Sequence, residues 1–435
     1  MRIDRRTTLS LVAAAALAVV AACGGGGDNG REDLQNRPLA LPNYGPNAVS
    51  LWHGVGAAVV TAPALAAGTP EERRPNYALD MATLHAAIYD AVVSLSRTHR
   101  PFIAQVAAEA GLPQDAAVHA AAHAVLSGLF PSRSAQYQPT YDAAAAALPP
   151  GPATTRALEV GREVARQVLA SRADDGRWTA VPPYVPGTAP GDFRGLNPIN
   201  MTLPFVRPFG VLSNTQFRSG EPPALTSTEY AADFNETKAY GSATSSVRTP
   251  AQTEAARFHT MPPPLFWTRN LQQFATSQPT LAGNARAMAM LYVAQADAGN
   301  TCFETKYHYN RWRPLSAIPL ADTDGNPATE PDAAWTPVVP TPNHPEYPAA
   351  HGCVSGSMAE VLKSLFGTKR LSFSFSSSVT GTTHAYTSVD EFFDEVRDAR
   401  IHGGMHFRTS VDAGRVLGMQ VAKWIDHNHF SPLER

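Results

Sequence analysis

Apolar residues return at helical spacing again and again after residue 49, and prolines or glycines break the pattern between returns. A chain patterned this way buries its apolar stripes by packing helix against helix. YALDMATLHAAIYDAVVSLS (77–96) is the plainest case. The same period runs through 116–130, 137–148 and 154–176, the last two parted by Pro149, Pro150 and Pro152. It resumes over 227–240, 250–259, 264–275, 281–312, 349–366, 388–400 and 408–427. Two stretches lack it. Residues 178–225 are rich in Pro, Gly, Asn and Phe, and 319–347 is Pro-rich. Long irregular segments inside a folded unit are often functional. SFSFSSSVT alternates, so short β pieces are expected around 370–385. With 435 residues, 44% hydrophobic and 17% charged, the chain can bury a large core. The expected fold is mainly α: helix bundles joined by long Pro-rich loops, over 49–435.

The first residues read differently. MRIDRRTTLS carries three arginines, and LVAAAALAVVAAC follows as an apolar run too short to span a bilayer comfortably. Val20-Ala21-Ala22-Cys23 resembles a bacterial lipobox, which would make Cys23 a lipidated mature N-terminus. Arg5-Arg6 followed by Leu9 also resembles a twin-arginine signal, so the export route stays open. GGGGDNG follows at once as a tether. Residues 1–23 are therefore read as an export signal of lipoprotein type, and 24–48 as a flexible linker. The expected location is periplasmic, or membrane-anchored through Cys23 alone. Two cysteines then remain, Cys302 and Cys353, and an oxidising compartment permits them a disulfide.

The formal net charge is only −2, which gives no reason to expect a nucleic-acid partner. Yet KYHYNRWRP gathers Lys306, His308, Arg311 and Arg313, with no acid from Lys306 to Ile318. Read as one helix running up to Arg313, the segment puts Lys306 and Arg313 on one face, seven residues apart. Two aligned cations among aromatics suit an oxyanion. A solvated basic face is the plain alternative, against which Tyr307, Tyr309 and Trp312 argue. In HPEYPAAHGCVSG, a loop enters a helix through Pro348 and the small residues Ala349, Ala350 and Gly352, with His351 in the first turn. Free amides at such a helix start attract anions. In RIHGGMHF, a Gly403-Gly404 turn brings Arg400 and His406 together.

Lys306-x6-Arg313-Pro314, Pro348-x2-His351 and Arg400-x5-His406 resemble, in order and spacing, the signature of the vanadium-dependent haloperoxidase and PAP2-type acid phosphatase superfamily. LHAAIYDAV, upstream, is similar to an early helix of its bacterial haloperoxidase-like branch. The resemblance implies that Lys306, Arg313 and Arg400, with the Ala350 amide, bind the oxyanion, within residues 300–420. It implies that His406 bonds vanadium or serves as a phosphoryl nucleophile, and that His351 is the acid–base group. It also implies that the Lys306 and His351 elements share a pocket, which would bring Cys302 and Cys353 into bonding range. The chain departs from the pattern at Ala349 and Ala350, where Ser and Gly are usual, and at Ala399, often Ser. Phosphatases place an Asp four residues after the nucleophilic His; Ser410 stands there, and Asp412 is the nearest acid.

The implied reaction is halide oxidation by hydrogen peroxide on a vanadate cofactor, yielding hypohalous acid, with an organic acceptor as a further partner. The alternatives are a PAP2-type acid phosphatase working through a phosphohistidine, and a non-catalytic exported oxyanion-binding protein. The absence of long apolar runs ahead of the motifs and the long helical N-terminal half favour the peroxidase. His344 lies seven residues before His351; algal bromoperoxidases of the family have His at that offset, and the fungal chloroperoxidase has Phe. Bromide and iodide are therefore the expected halides. Of the other histidines, His85 reads as a core residue; His119 and His123, four apart, have a metal-binding spacing but no third ligand and read as surface or packing residues; His308 and His402 read as neighbours of the site.

Overall fold

Local sequence signals start most of the helices. In the computed structural model, which describes residues 37–433 apart from 74–75, Asn47 and Ser50 form a capping box at the start of α1 (Ala48–Val60). Asn76 caps α2 (Tyr77–Ser96), and α3 (Gln114–Leu129) and α4 (Ser134–Ala147) follow. Pro152 takes the first turn of α5 (Pro152–Arg172), where its missing N–H costs nothing. Ser227, Thr249 and Thr280 cap α6 (Thr228–Gly241), α7 (Pro250–Phe258) and α9 (Leu281–Tyr309). Between the last two lies α8 (Pro263–Asn270). The chain ends with α10 (Ala350–Phe366), α11 (Val389–His402) and α12 (Arg408–Asn428). A small sheet joins β1 (Leu39–Ala40), parallel, to β2 (Leu371–Ser377), which pairs antiparallel with β3 (Thr382–Tyr386). The fold is mainly α, as the periodicity requires.

One boundary moves. The folded unit starts at Pro38, because β1 pairs with Leu371 and Ser372 and Asn47 caps α1. The linker expected over 24–48 therefore overlaps folded chain. The lipobox, Cys23 and Arg5-Arg6 lie outside the described residues.

The central helices α2 and α9 pack against each other. Among the described residues only α2 is long and apolar enough to cross a membrane, and its apolar window is wholly buried in the protein. α10 and α12 pack backbone against backbone, and this depends on glycine. A Cβ at Gly418 would sit 2.0 Å from the Cys353 carbonyl oxygen, and one at Gly352 2.4 Å from that of Val411. Cys302 on α9 and Cys353 on α10 form a disulfide with Cα atoms 6.2 Å apart.

Buried acids pin the irregular segment that follows α5. Asp297 on α9 accepts the amides of Phe209, Gly210 and Val211 at 2.7, 2.6 and 3.0 Å. Arg177 bridges Asp80 on α2 and Asp175 at 2.7 and 2.9 Å. The Asn343 side chain holds the carbonyls of Leu196 and Asn197. With its backbone groups satisfied, an irregular chain forms a fixed wall.

Candidate oxyanion site

Lys306 lies in the last turn of α9. The helix stops at Asn310, whose left-handed φ of 50° caps it, and Arg311 bridges to Asp192. Arg313 is extended ahead of Pro314. Lys306 and Arg313 are therefore not two turns apart on one helix, contrary to the helical reading; a turn brings them together. The apolar period that suggested a helix to 312 carries no information about a left-handed cap.

The loop before α10 closes over both cations. Lys306 Nζ donates to the carbonyls of Pro345 and Glu346 at 2.8 and 3.0 Å. Arg313 donates to the carbonyls of His344, Met405 and Pro342 at 2.8, 2.7 and 3.2 Å. Its Nη1 also donates to His406 Nε2 at 2.8 Å. A guanidinium can only donate, so Nε2 accepts and the proton of neutral His406 sits on Nδ1. That Nδ1–H donates to Glu346 Oε1 at 2.9 Å. The same carboxylate oxygen accepts the Phe407 amide at 3.1 Å.

Glu346 is the residue that sequence reasoning missed. It occupies the orienting role for which an Asp was sought at Ser410. Ser410 instead donates to the Glu346 carbonyl and accepts the Ala349 amide. A signal existed: Glu346 is the sole acid between Asp332 and Glu360, five residues before His351.

The glycine turn works as expected. Gly403 ends α11, Gly404 has φ 74°, and the amides of Met405 and His406 return to the Arg400 carbonyl. Arg400 donates to the His259 carbonyl at 2.6 Å and toward Met405 Sδ at 2.7 Å, while its Nε has no partner. His351, in the first turn of α10, donates from Nε2 to the Met261 carbonyl at 3.2 Å. Ala349, at the N-cap, offers no side-chain cap to the amides that follow.

These groups meet at a cavity of about 290 Å³. Arg400, Ala350, His351, His344 and His406 line it; Lys306 and Arg313 stand behind that wall. His344 faces inward: its ring packs on Phe303 at 5.1 Å and lies 6.5 Å from the ring of His406. Its Nδ1 donates to the Pro345 carbonyl at 3.1 Å, and Nε2 faces Arg313 at 3.2 Å. The irregular segment supplies Ile199, Asn200 and Leu203 to the rim.

Charge is unbalanced here. Lys306, Arg313 and Arg400 are 0%, 2% and 0% exposed, and Glu346 is the one acid among them. Burial pushes Lys306 and Arg400 well below their usual ranges, and Arg313 adds to both by repulsion. Burial lowers Arg313 to about 10, with Glu346 opposing. Burial raises Glu346, and the Lys306 and Arg313 charges pull it back. His344, His351 and His406 are held well below the usual histidine range, first by burial and then by neighbouring cations. All three are neutral at pH 7 in this field.

The remaining nominated histidines lie elsewhere. His119 accepts from Trp52 Nε1 at 2.8 Å, and His123 meets Gln138 and stacks on Tyr141. His308 is exposed, and His402 packs beside Tyr240. His85 is buried against Tyr292, with one nitrogen facing His53 and the other unpartnered, so it is only half satisfied.

Residues 286–432 match the VCPO second helical-bundle domain. The chain carries that domain and has the vanadium-haloperoxidase fold. A bacterial vanadium-dependent iodoperoxidase superposes with a TM-score of 0.68 at 19% identity, over 89% of this chain and 97% of the other. Apo and holo forms of a bacterial vanadium-dependent chloroperoxidase each superpose at 0.66 with 14% identity. They cover 86% and 89% of this chain, and 96% and 97% of theirs. No curated protein matches the sequence. The domain match spans all three motifs, from Lys306 to His406.

Proposed function

We propose that this protein is a vanadate-dependent haloperoxidase that oxidises bromide or iodide with hydrogen peroxide to hypohalous acid. The observation that carries the reading is the buried excess of cations around a neutral, oriented His406. Three cations against one carboxylate leave two positive charges without a partner, and unpaired buried charge is costly. An oxyanion of one to two negative charges answers that deficit. The unpartnered Nε of Arg400 points to the same missing acceptor.

The residues present fit vanadate. Arg400 and the Ala350 amide, which line the cavity, would hold its oxygens, Lys306 would add its charge from behind that wall, and His406 Nε2 would be its protein ligand, with Arg313 moving off that nitrogen. Bound vanadate supplies Lewis-acid activation of peroxide toward halide. Glu346 fixes the His406 tautomer and raises the basicity of Nε2, as a carboxylate behind a ligating imidazole does. His351, neutral and anchored by Met261, takes or returns a proton at its free nitrogen. The Ala349 methyl brings no hydroxyl to the oxyanion, so the α10 amides carry more of the load.

One observation favours a second reading. Ser410 counted against a phosphatase because it cannot orient the imidazole; Glu346 supplies that orientation at 2.9 Å. His406 is thus also suited to attack a phosphoryl group. Purified protein assayed with orthovanadate, peroxide and bromide, and separately with p-nitrophenyl phosphate, tests both. Bromide oxidation that depends on vanadate and is lost in His406→Ala is expected. Phosphate ester hydrolysis without halide oxidation would reverse the order, and oxyanion binding without either turnover would make the protein a binder.

We also propose export with lipid attached at Cys23. The Cys302–Cys353 disulfide supports an oxidising location. The mass of the mature N-terminus tests it: an unlipidated terminus elsewhere than Cys23 would overturn the proposal.

A further inference from the structure

One corner of the oxyanion site is held from outside the cavity. Arg400 is wholly buried, and among the described residues the His259 carbonyl is the one oxygen that accepts from it, at 2.6 Å. Two residues on, the Met261 carbonyl takes His351 Nε2 at 3.2 Å. Both carbonyls belong to the short link 259–262 between α7 and α8, and Thr260 and Pro262 of that link line the cavity. Past the end of a helix, no ladder of hydrogen bonds sets the direction of a carbonyl.

The His259 side chain supplies that direction. It is buried, and its Nε2 lies 2.8 Å from Glu395 Oε1 on α11. The same oxygen accepts the Tyr386 hydroxyl at 2.7 Å and meets His384 Nδ1 at 2.9 Å, both from β3. Burial pushes the Glu395 carboxyl up, but His259, His384 and Tyr386 outweigh it and hold it at about 2. An ionised carboxylate only accepts, so His259 Nε2 and His384 Nδ1 both donate to it. His384 also reaches Glu254 Oε2 on α7 at 2.9 Å and stacks on Phe258, with ring centroids 3.8 Å apart. Ser377 of β2 donates to the Phe258 carbonyl at 2.9 Å. Residues 258 and 259 are thus gripped by the small sheet and by α11. His259 is fastened to α11 at both ends, its side chain to Glu395 and its carbonyl to Arg400.

We propose that Glu395 is a positioning residue for the oxyanion site: through His259 it fixes the carbonyl that aims Arg400, and β3 braces it with His384 and Tyr386. Glu395 does not itself line the cavity. The proposal rests on the oxyanion reading of the site and needs no turnover.

The test is calorimetric titration of the full protein with inorganic phosphate. Glu395→Leu should weaken phosphate binding about 10-fold, because Arg400 loses its aim. Glu395→Gln keeps an oxygen for the His259 Nε2–H and should stay within about threefold of the wild type. His259→Phe keeps a ring and the carbonyl but drops the donor. It should show the same loss as Glu395→Leu, and it serves if that variant does not fold. Added to Arg400→Met, Glu395→Leu should change the affinity by less than about twofold, since the two residues act as one unit. Unchanged affinity in Glu395→Leu and His259→Phe, a Gln variant as weak as Leu, or a full further loss on top of Arg400→Met would each overturn the proposal. Any of these in a protein that binds phosphate sinks the proposal alone. A wild type that binds no phosphate sinks the oxyanion reading with it.

Discussion

Two of the buried charge clusters among the described residues are built to opposite rules. Behind α2 and α5, Arg172 and Arg177 meet Asp175 and Asp80, two cations against two acids. There Arg177 is raised, because its two carboxylates outweigh burial, and Asp175 is lowered by the arginines. Burial still lifts Asp80 to about 6 and depresses Arg172. At the cavity, three cations gather with one carboxylate that answers only Lys306 and Arg313, and all three are lowered. The first cluster is complete without help. The second is complete only with an anion, and that difference separates a structural ion network from a binding site.

The sharpest way to break the comparison is to remove one arginine from each cluster. Arg177→Met should cost about 3–5 kcal/mol of stability, since it strands the buried Asp80 carboxylate and leaves Asp175 with Arg172 alone. Arg400→Met should leave the anion-free protein as stable or more stable by about 1–3 kcal/mol, while anion-dependent activity falls about 10²–10³-fold. Chemical denaturation in phosphate-free buffer measures the first two and turnover the third. Equal destabilisation by both substitutions would erase the distinction.

Glu346 comes next. It has partners 40 to 60 residues away in sequence, Lys306 and His406. Glu346→Leu should weaken oxyanion affinity about 10–100-fold, and Glu346→Gln, which keeps an acceptor for the His406 Nδ1–H, should weaken it less. Phosphate titration of both variants checks this. A Gln variant no better than Leu would mean that charge, rather than orientation, is what Glu346 supplies.

How much was legible follows from what each feature depends on. Helices appeared wherever burial imposes a 3.6-residue period, and α10–α12 fell within two residues of expectation. The Arg400–His406 turn was legible because glycine pairs mark turns locally. The Lys306–Arg313 relation was misread because a left-handed Asn310 looks like any other residue in a polar stretch. Glu346 went unseen because only the folded chain places it behind His406.

Proton linkage gives a smaller, signed effect. The site's cations and histidines are depressed when no anion is present, so an anion raises them and protons are taken up on binding. Oxyanion affinity should therefore rise as pH falls from 8 toward 6. The stability of the anion-free protein should move the other way: His344, His351 and His406 stay neutral when folded but protonate near pH 6.5 when unfolded. That protein loses stability as pH drops below about 6.5. Phosphate binding heats compared across buffers of different ionisation enthalpy measure the uptake. Proton release, or none, would contradict the charge deficit.

The smallest expected effect concerns the halide, and it asks whether the cavity's polarity matters beyond its charge. His344 is neutral, packs on Phe303 and takes a donor from Arg313. His344→Phe keeps a ring against Phe303 but deletes the acceptor, leaving one Arg313 N–H less engaged and the wall less polar. If the imidazole takes part in halide selection, a less polar wall should favour the softer halides less strongly over chloride. The bromide-to-chloride rate ratio is then expected to fall about 3–10-fold, no more than about 1.4 kcal/mol of barrier. A halide series at fixed pH and peroxide measures it, on protein whose vanadate content is matched. Wild-type chloride oxidation as fast as bromide oxidation, or an unchanged ratio in the variant, would leave His344 as packing around Arg313 and nothing more.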